Sequence, residues 1–196
     1  MSEAAIVPFG WERTAVAVER VKDRLRRAAT TLAEAGVPYA VIGGNAVAEW
    51  VGRADFAAVR NTQDVDILLR RSDFATAKAA MERAGFVHTN VLGVDMFLDG
   101  PDARPRDAVH LIFATEKVRP EDVLPAPDLA ESEPGTQFHV VSLPALVRMK
   151  LDSNRLKDRV HILDLIGVGL VDASWLSGLP PTLAERLQQL LDNPNG

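Results

Sequence analysis

The chain has 196 residues, 47% of them apolar, and a formal net charge of −5 at neutral pH. That size suits one core or a core with an appendage, and the negative balance excludes broad, sequence-independent nucleic-acid binding. The absence of cysteine excludes disulfides, cysteine-based zinc sites and a thiol nucleophile together, and it fits a cytoplasmic setting. Glu3 stands where a secretory leader would be basic, and the apolar run at 6–9 is short, so no signal peptide is expected. No apolar run reaches the roughly 18 residues of a membrane-spanning helix.

Val18, Val21, Leu25, Ala28, Ala29 and Leu32 recur at helical spacing and stop at Gly36, with Arg24, Arg26 and Arg27 assigned to the solvated face. Residues 39–42, Tyr-Ala-Val-Ile, read as a short strand followed at once by Gly43, Gly44 and Asn45. A helix over 46–51 then follows, with Asn45 as its N-cap. Such a strand, glycine pair and helix start can bring backbone N–H groups close to a phosphate, although a glycine pair by itself marks only a turn.

Residues 64–70, Asp-Val-Asp-Ile-Leu-Leu-Arg, alternate as a strand. Asp64 and Asp66 therefore share one face. At a separation of about 6 Å and an effective dielectric of about 20, two such carboxylates repel by roughly 3 kcal/mol. A divalent cation turns that repulsion into a site; the plainer alternative is a strand end facing water.

Ser72 is read as the cap of a helix through Ala84, closed by Gly85. Residues 94–98 and 108–113 read as a hairpin across the turn-rich 100–105. With Val109, Leu111 and Phe113 turned to the core, His110 falls on the polar face, either as a metal ligand or as a surface histidine bonded to a neighbour. Residues 115–136 read as an irregular linker. A helix capped by Ser142 carries Leu143, Leu146, Val147 and Lys150. The next, over 155–166, carries Lys157, Asp158 and Asp164, for which a solvated charged face is the plain alternative. Asp172 is expected to cap a turn holding Trp175, and Pro181 to open a last helix. Trp11, Trp50 and Trp175 read as packing residues, and no metal role is expected of His88 or His139.

The run from a hydrophobic strand through Gly-Gly and a helix to Asp-x-Asp resembles the nucleotidyltransferase superfamily. This is the polymerase-beta-like fold of minimal nucleotidyltransferases and abortive-infection-type toxins. The resemblance covers about residues 37–115. Gly43, Gly44, Asp64 and Asp66 match directly. Asn45 stands where Ser or Thr is more usual, the loop before Asp64 is long, and His110 occupies the place of the third acid, for which Asp95 or Asp107 could substitute. More weakly, Lys150, Lys157, Asp158 and Asp164 match the family's helical motif.

The resemblance implies an α/β (α+β) fold, a small mixed sheet with flanking and C-terminal helices. It divides the chain into a core at 1–115, a linker with a short strand at 116–141, and a helical region at 142–196. It further implies transfer of a nucleotidyl group from a nucleoside triphosphate, with Asp64, Asp66 and Lys150 catalytic. Gly43, Gly44, Asn45, Lys157 and Asp158 would bind nucleotide, and Asp64, Asp66 and His110 would hold Mg²⁺ or Mn²⁺. The acceptor is left open among a small molecule such as an aminoglycoside, a protein side chain and an RNA end. A catalytically silent nucleotide-binding relative, acting as a regulatory or toxin–antitoxin partner, is the rival reading.

Overall fold

Strand β1 (Tyr39–Ile42) is buried at all four residues and lies inside a seven-stranded mixed sheet of order β3-β4-β5-β2-β1-β7-β6. The structure is a computed structural model that describes residues 10–194. The Glu3 and 6–9 segment and the Trp11 side chain lie outside the described residues. Strand β2 (Val65–Leu69) runs antiparallel to β1, with Ile42 opposite Asp66. It runs parallel to β5 (Ala108–Phe113), with Asp66 opposite His110. Strand β4 (Val94–Leu98) pairs antiparallel with β5, as the hairpin reading requires, and with β3 (Val87–Val91), an edge strand that carries His88.

Both faces of the sheet are covered, which is why Ile67 and Leu68 are equally buried. On one face, α1 (Trp11–Glu34) and α3 (Phe74–Arg83) pack on Val41, Val65, Ile67 and Leu69. On the other, α2 (Gly43–Ala54), α4 (Leu143–Ser153), α5 (Leu156–Gly167) and α6 (Pro181–Asp192) pack on Ala40, Ile42, Leu68 and Val140. Asp66 shares this second face with Leu68, so the helical layer is its surroundings. Trp50 and Trp175 pack there, and Trp50 donates from its indole nitrogen to the Val141 carbonyl at 3.0 Å. Among the described residues no helix is long and apolar enough to cross a membrane.

Several local expectations are corrected. Helix α2 begins at Gly43, three residues early, with extended Ile42 before it and no side-chain cap. Asn45 caps nothing; its amide donates to the Asp64 carbonyl at 2.8 Å, because a partner from the neighbouring strand is nearer than the helix end. Ser72 lies within a single turn, Arg71–Asp73, and α3 starts at Phe74. Ser142 holds the N-cap position of α4 without a side-chain cap bond. The 115–136 stretch is irregular, but it leads into β6 (Ser132–Pro134), which pairs with β7 (His139–Val141) to finish the sheet. Asp172 does cap its turn, accepting from the Ser174 N–H at 2.8 Å.

The arginines of α1 divide differently from the solvated reading. Arg24 is buried beside the apolar stripe, its Nε donating to Asp99 at 3.3 Å and its Nη2 lying 3.9 Å from Asp107. Arg27 donates to the other Asp99 oxygen at 2.7 Å and lies 4.7 Å above the Phe86 ring. Only Arg26 keeps to the solvent, paired with Asp23. Long arginine stems can cover apolar surface while the head reaches a partner, which helical spacing alone does not reveal. Arg24→Met is expected to cost about 2 kcal/mol or more, since it leaves Asp99 half-buried and short of a partner. Arg26→Met should stay within about 0.5 kcal/mol, and urea unfolding of the two variants distinguishes the cases.

Candidate functional site

The site is assembled where the start of α2 meets β2. Gly43 has φ +69°, a conformation costly for any residue with a Cβ, and a Cβ built there falls on the Asp66 carboxylate. A Cβ on Gly44 would come within 2.6 Å of the Thr62 Oγ1. The glycine pair thus lets the Asp66 carboxyl and the 59–64 loop close on the helix start. Thr62 also accepts from the Asp64 N–H at a long 3.4 Å, and Arg60 ties the loop to α5 through Asp164 at 2.8 Å. With no side-chain cap on α2, its first amides are available to an anion.

Asp64, just before β2, and Asp66, on it, lie close enough for their charges to interact, and those charges are answered unequally. Asp64 accepts from the Lys157 ammonium at 3.0 Å. Asp66 has the His110 Nδ1 at 3.7 Å, beyond hydrogen-bond reach. Burial raises the Asp66 carboxyl above the usual aspartate range, and Asp64 adds to this; His110, Lys150 and Lys157 pull the other way without reversing it.

Neither alternative third acid shares the face of Asp66. Asp95 bonds His88 at 2.9 Å and Asn90 at 3.1 Å, and it alternates onto the side of Phe97, in the α1–α3 layer. Asp107 lies by Arg24 of α1.

Lys150 and Asp158 lie beneath the cleft, bonded to each other. The Asp158 carboxylate is fully buried; one oxygen takes Lys150 Nζ at 2.8 Å, and the other takes Ser153 Oγ at 2.8 Å and Arg155 Nε at 2.7 Å. Burial works to raise its pKa, but Lys150 above all, with Arg155 and Ser153, holds it well below the usual carboxylate range. Lys157, the next residue along, has a half-exposed side chain that reaches into the cleft. The sequence reading missed Thr62, Ser153 and Arg155 as parts of the site. Thr62 two residues before Asp64 and Arg155 three before Asp158 were the available signals.

Among the described residues, no three or more His, Asp or Glu side chains already converge as a metal cage. The donor types nonetheless fit a divalent cation: two interacting carboxylates, an imidazole beside Asp66, and an ammonium showing that Asp64 holds positive charge.

A family described as uncharacterised nucleotidyltransferase matches residues 11–123, more than half of the chain. The chain belongs to that family. Nucleotidyl transfer is the chemistry that membership supports in general terms. Its fold is shared with solved structures of low identity. The crystal structure of ANT(2'')-Ia in complex with adenylyl-2''-tobramycin is 14% identical, with a TM-score of 0.52 over 92% of this chain and 99% of that one. An antigenic nucleotidyltransferase-like protein from Paracoccidioides brasiliensis is 16% identical, with a TM-score of 0.55 over 89% of this chain and 88% of that one. A search of curated proteins gave no match. The family match stops before α4, so Lys150 and Lys157 come from outside it.

Two expectations follow from the geometry. Gly43→Ala should lose about 2 kcal/mol or more, combining a left-handed alanine with overlap on Asp66. Gly85→Ala, also at positive φ but with open space around its Cβ, should lose only about 1 kcal/mol in the same denaturation assay.

The second expectation concerns His161, whose Nδ1 is buried without a partner 4.0 Å from Asp158. Burial, then the Lys150 ammonium, pushes its imidazole down from 6.5 to about 4, against the pull of Asp158. Between those values the unfolded chain binds more protons than the folded one. Stability should therefore fall as pH drops from about 6.5 to about 4, by on the order of 3 kcal/mol. His161→Gln should flatten that limb of the urea-midpoint profile.

Proposed function

We propose that the protein transfers a nucleotidyl group from a nucleoside triphosphate to an acceptor hydroxyl with the help of a divalent cation. The observation that carries this reading is the meeting of Asp66 with the glycine start of α2 while Asp64, just before β2, pairs with Lys157. Asp64, Asp66 and His110 would hold Mg²⁺ or Mn²⁺, which when bound supplies charge neutralisation for the triphosphate and activation of the attacking oxygen. Gly43 and Gly44 admit phosphate to the first amides of α2, and Asn45 keeps the strand bearing Asp64 tied to that helix. Lys157 offers a cation to the outer phosphates. Lys150 acts from beneath, drawing charge onto Asp66 and holding Asp158. Asp158 in turn fixes the first turn of α5.

For the acceptor, the adenylyl-2''-tobramycin held by ANT(2'')-Ia supports a small hydroxylated molecule ahead of a protein side chain or an RNA end. A cytoplasmic setting agrees with the cysteine-free composition. The silent, regulatory reading draws on one feature, a histidine where a third carboxylate is expected, next to a carboxyl that resists ionisation.

Incubation with each labelled triphosphate and either metal, across an aminoglycoside, protein and RNA panel, tests the proposal. Labelled product supports transfer; tight binding with no turnover anywhere transfers support to the silent reading. Asp64→Asn combined with Asp66→Asn should abolish Mn²⁺ binding while keeping the fold, because burial and mutual repulsion already penalise the charge on Asp66. Wild-type Mn²⁺ affinity in that double variant would remove the metal from the mechanism. His110→Asp should tighten Mg²⁺ binding by supplying a harder, charged ligand.

A further inference from the structure

Lys157 lies in the first turn of α5, and its ammonium sits on Asp64, which the proposed function assigns to a metal ion. We infer that Lys157 is an exchangeable counter-ion: it neutralises Asp64 until the cation arrives, then moves to the triphosphate. The inference rests on the proposed reading and adds to it a rule for how the two ligands bind.

Three observations carry it. First, the other cations around the start of α5 are held elsewhere. Arg155 is on Asp158 at 2.7 Å, Arg159 on Asn154 at 2.9 Å, Arg60 on Asp164 at 2.8 Å, and Lys150 on Asp158. Second, the backbone under Lys157 is fixed, since Asp158 is buried and saturated by three side chains. The side chain itself is 51% exposed. Third, among the described residues Lys157 is the cation hydrogen-bonded to this pair of aspartates, since the His110 Nδ1 stands 3.7 Å from Asp66.

A metal ion must therefore displace the ammonium from Asp64, and a displaced ammonium has phosphate as its next partner. Each ligand removes the obstacle to the other, and by linkage the help is mutual.

The test measures each ligand without the other in the full-length protein. Mn²⁺ alone is titrated by electron paramagnetic resonance. Inorganic tripolyphosphate is titrated by calorimetry in excess chelator, which sidesteps the unknown base. Lys157→Met should bind Mn²⁺ roughly two- to five-fold more tightly than wild type, the range of an exposed ion pair, and tripolyphosphate more weakly. Lys157→Arg should stay near wild type on both. Arg159→Gln removes a nearby charge without touching Asp64 and should change Mn²⁺ binding clearly less. An unchanged Mn²⁺ affinity in Lys157→Met, or an equal gain in Arg159→Gln, overturns the exchange and leaves the metal site standing. No Mn²⁺ binding in any of the proteins overturns the metal reading and the exchange with it.

Discussion

A carboxylate with no exposed surface must have its charge answered on the spot, and Asp158 is that group here. Lys150 comes to it from α4, Ser153 from the last residue of that helix, and Arg155 from the corner before α5. The corner turns at Asn154, in the left-handed region at φ +48°. A buried ion pair is weak evidence for stability unless its hydrogen bonds are complete; both oxygens are engaged here, and what they fix is an angle between two helices. That angle aims the first turn of α5, and with it Lys157, at the strand carrying Asp64. His161 shares the same buried space and is kept neutral by it.

The opposite wall of the cleft obeys a steric constraint. Asp66 can lie against the start of α2 only because Gly43 has no side chain. The two walls bring together one carboxylate paired with Lys157 and another, Asp66, whose charge burial disfavours. Local rules broken at one place and kept elsewhere are the usual mark of a site where stability has been given up for chemistry.

The strands were legible because their signals are local. The period-two run at 64–70 made a strand legible, and the parity of 108–113 set His110 toward Asp66, which the parallel pairing of β2 and β5 reproduces. The mixed α/β architecture followed from the same elements. What escaped had partners far away in the chain. Arg24 looked solvated because Asp99 is 75 residues on. Asn45 looked like a cap because the carbonyl it serves belongs to Asp64. Strand β6, three residues long, is too short to show a period. Lys150 and Asp158 each had the right charge for a ligand contact, and nothing in their spacing announced that a helix corner folds one onto the other.

The position of β1 in the sheet has a consequence for what counts as a unit of this protein. Its far edge pairs with β7, Val41 opposite Val140, and its inner face packs against helices that follow β7. A fragment ending at residue 123, where the family likeness ends, would expose the N–H and C=O groups of β1 along that edge. It would also uncover Ala40, Ile42 and Leu68. An unprotected edge beside bare apolar surface recruits other chains rather than staying monomeric. The stretch that kinship recognises thus lacks the strand that completes the edge of β1 and the helices that cover its inner face.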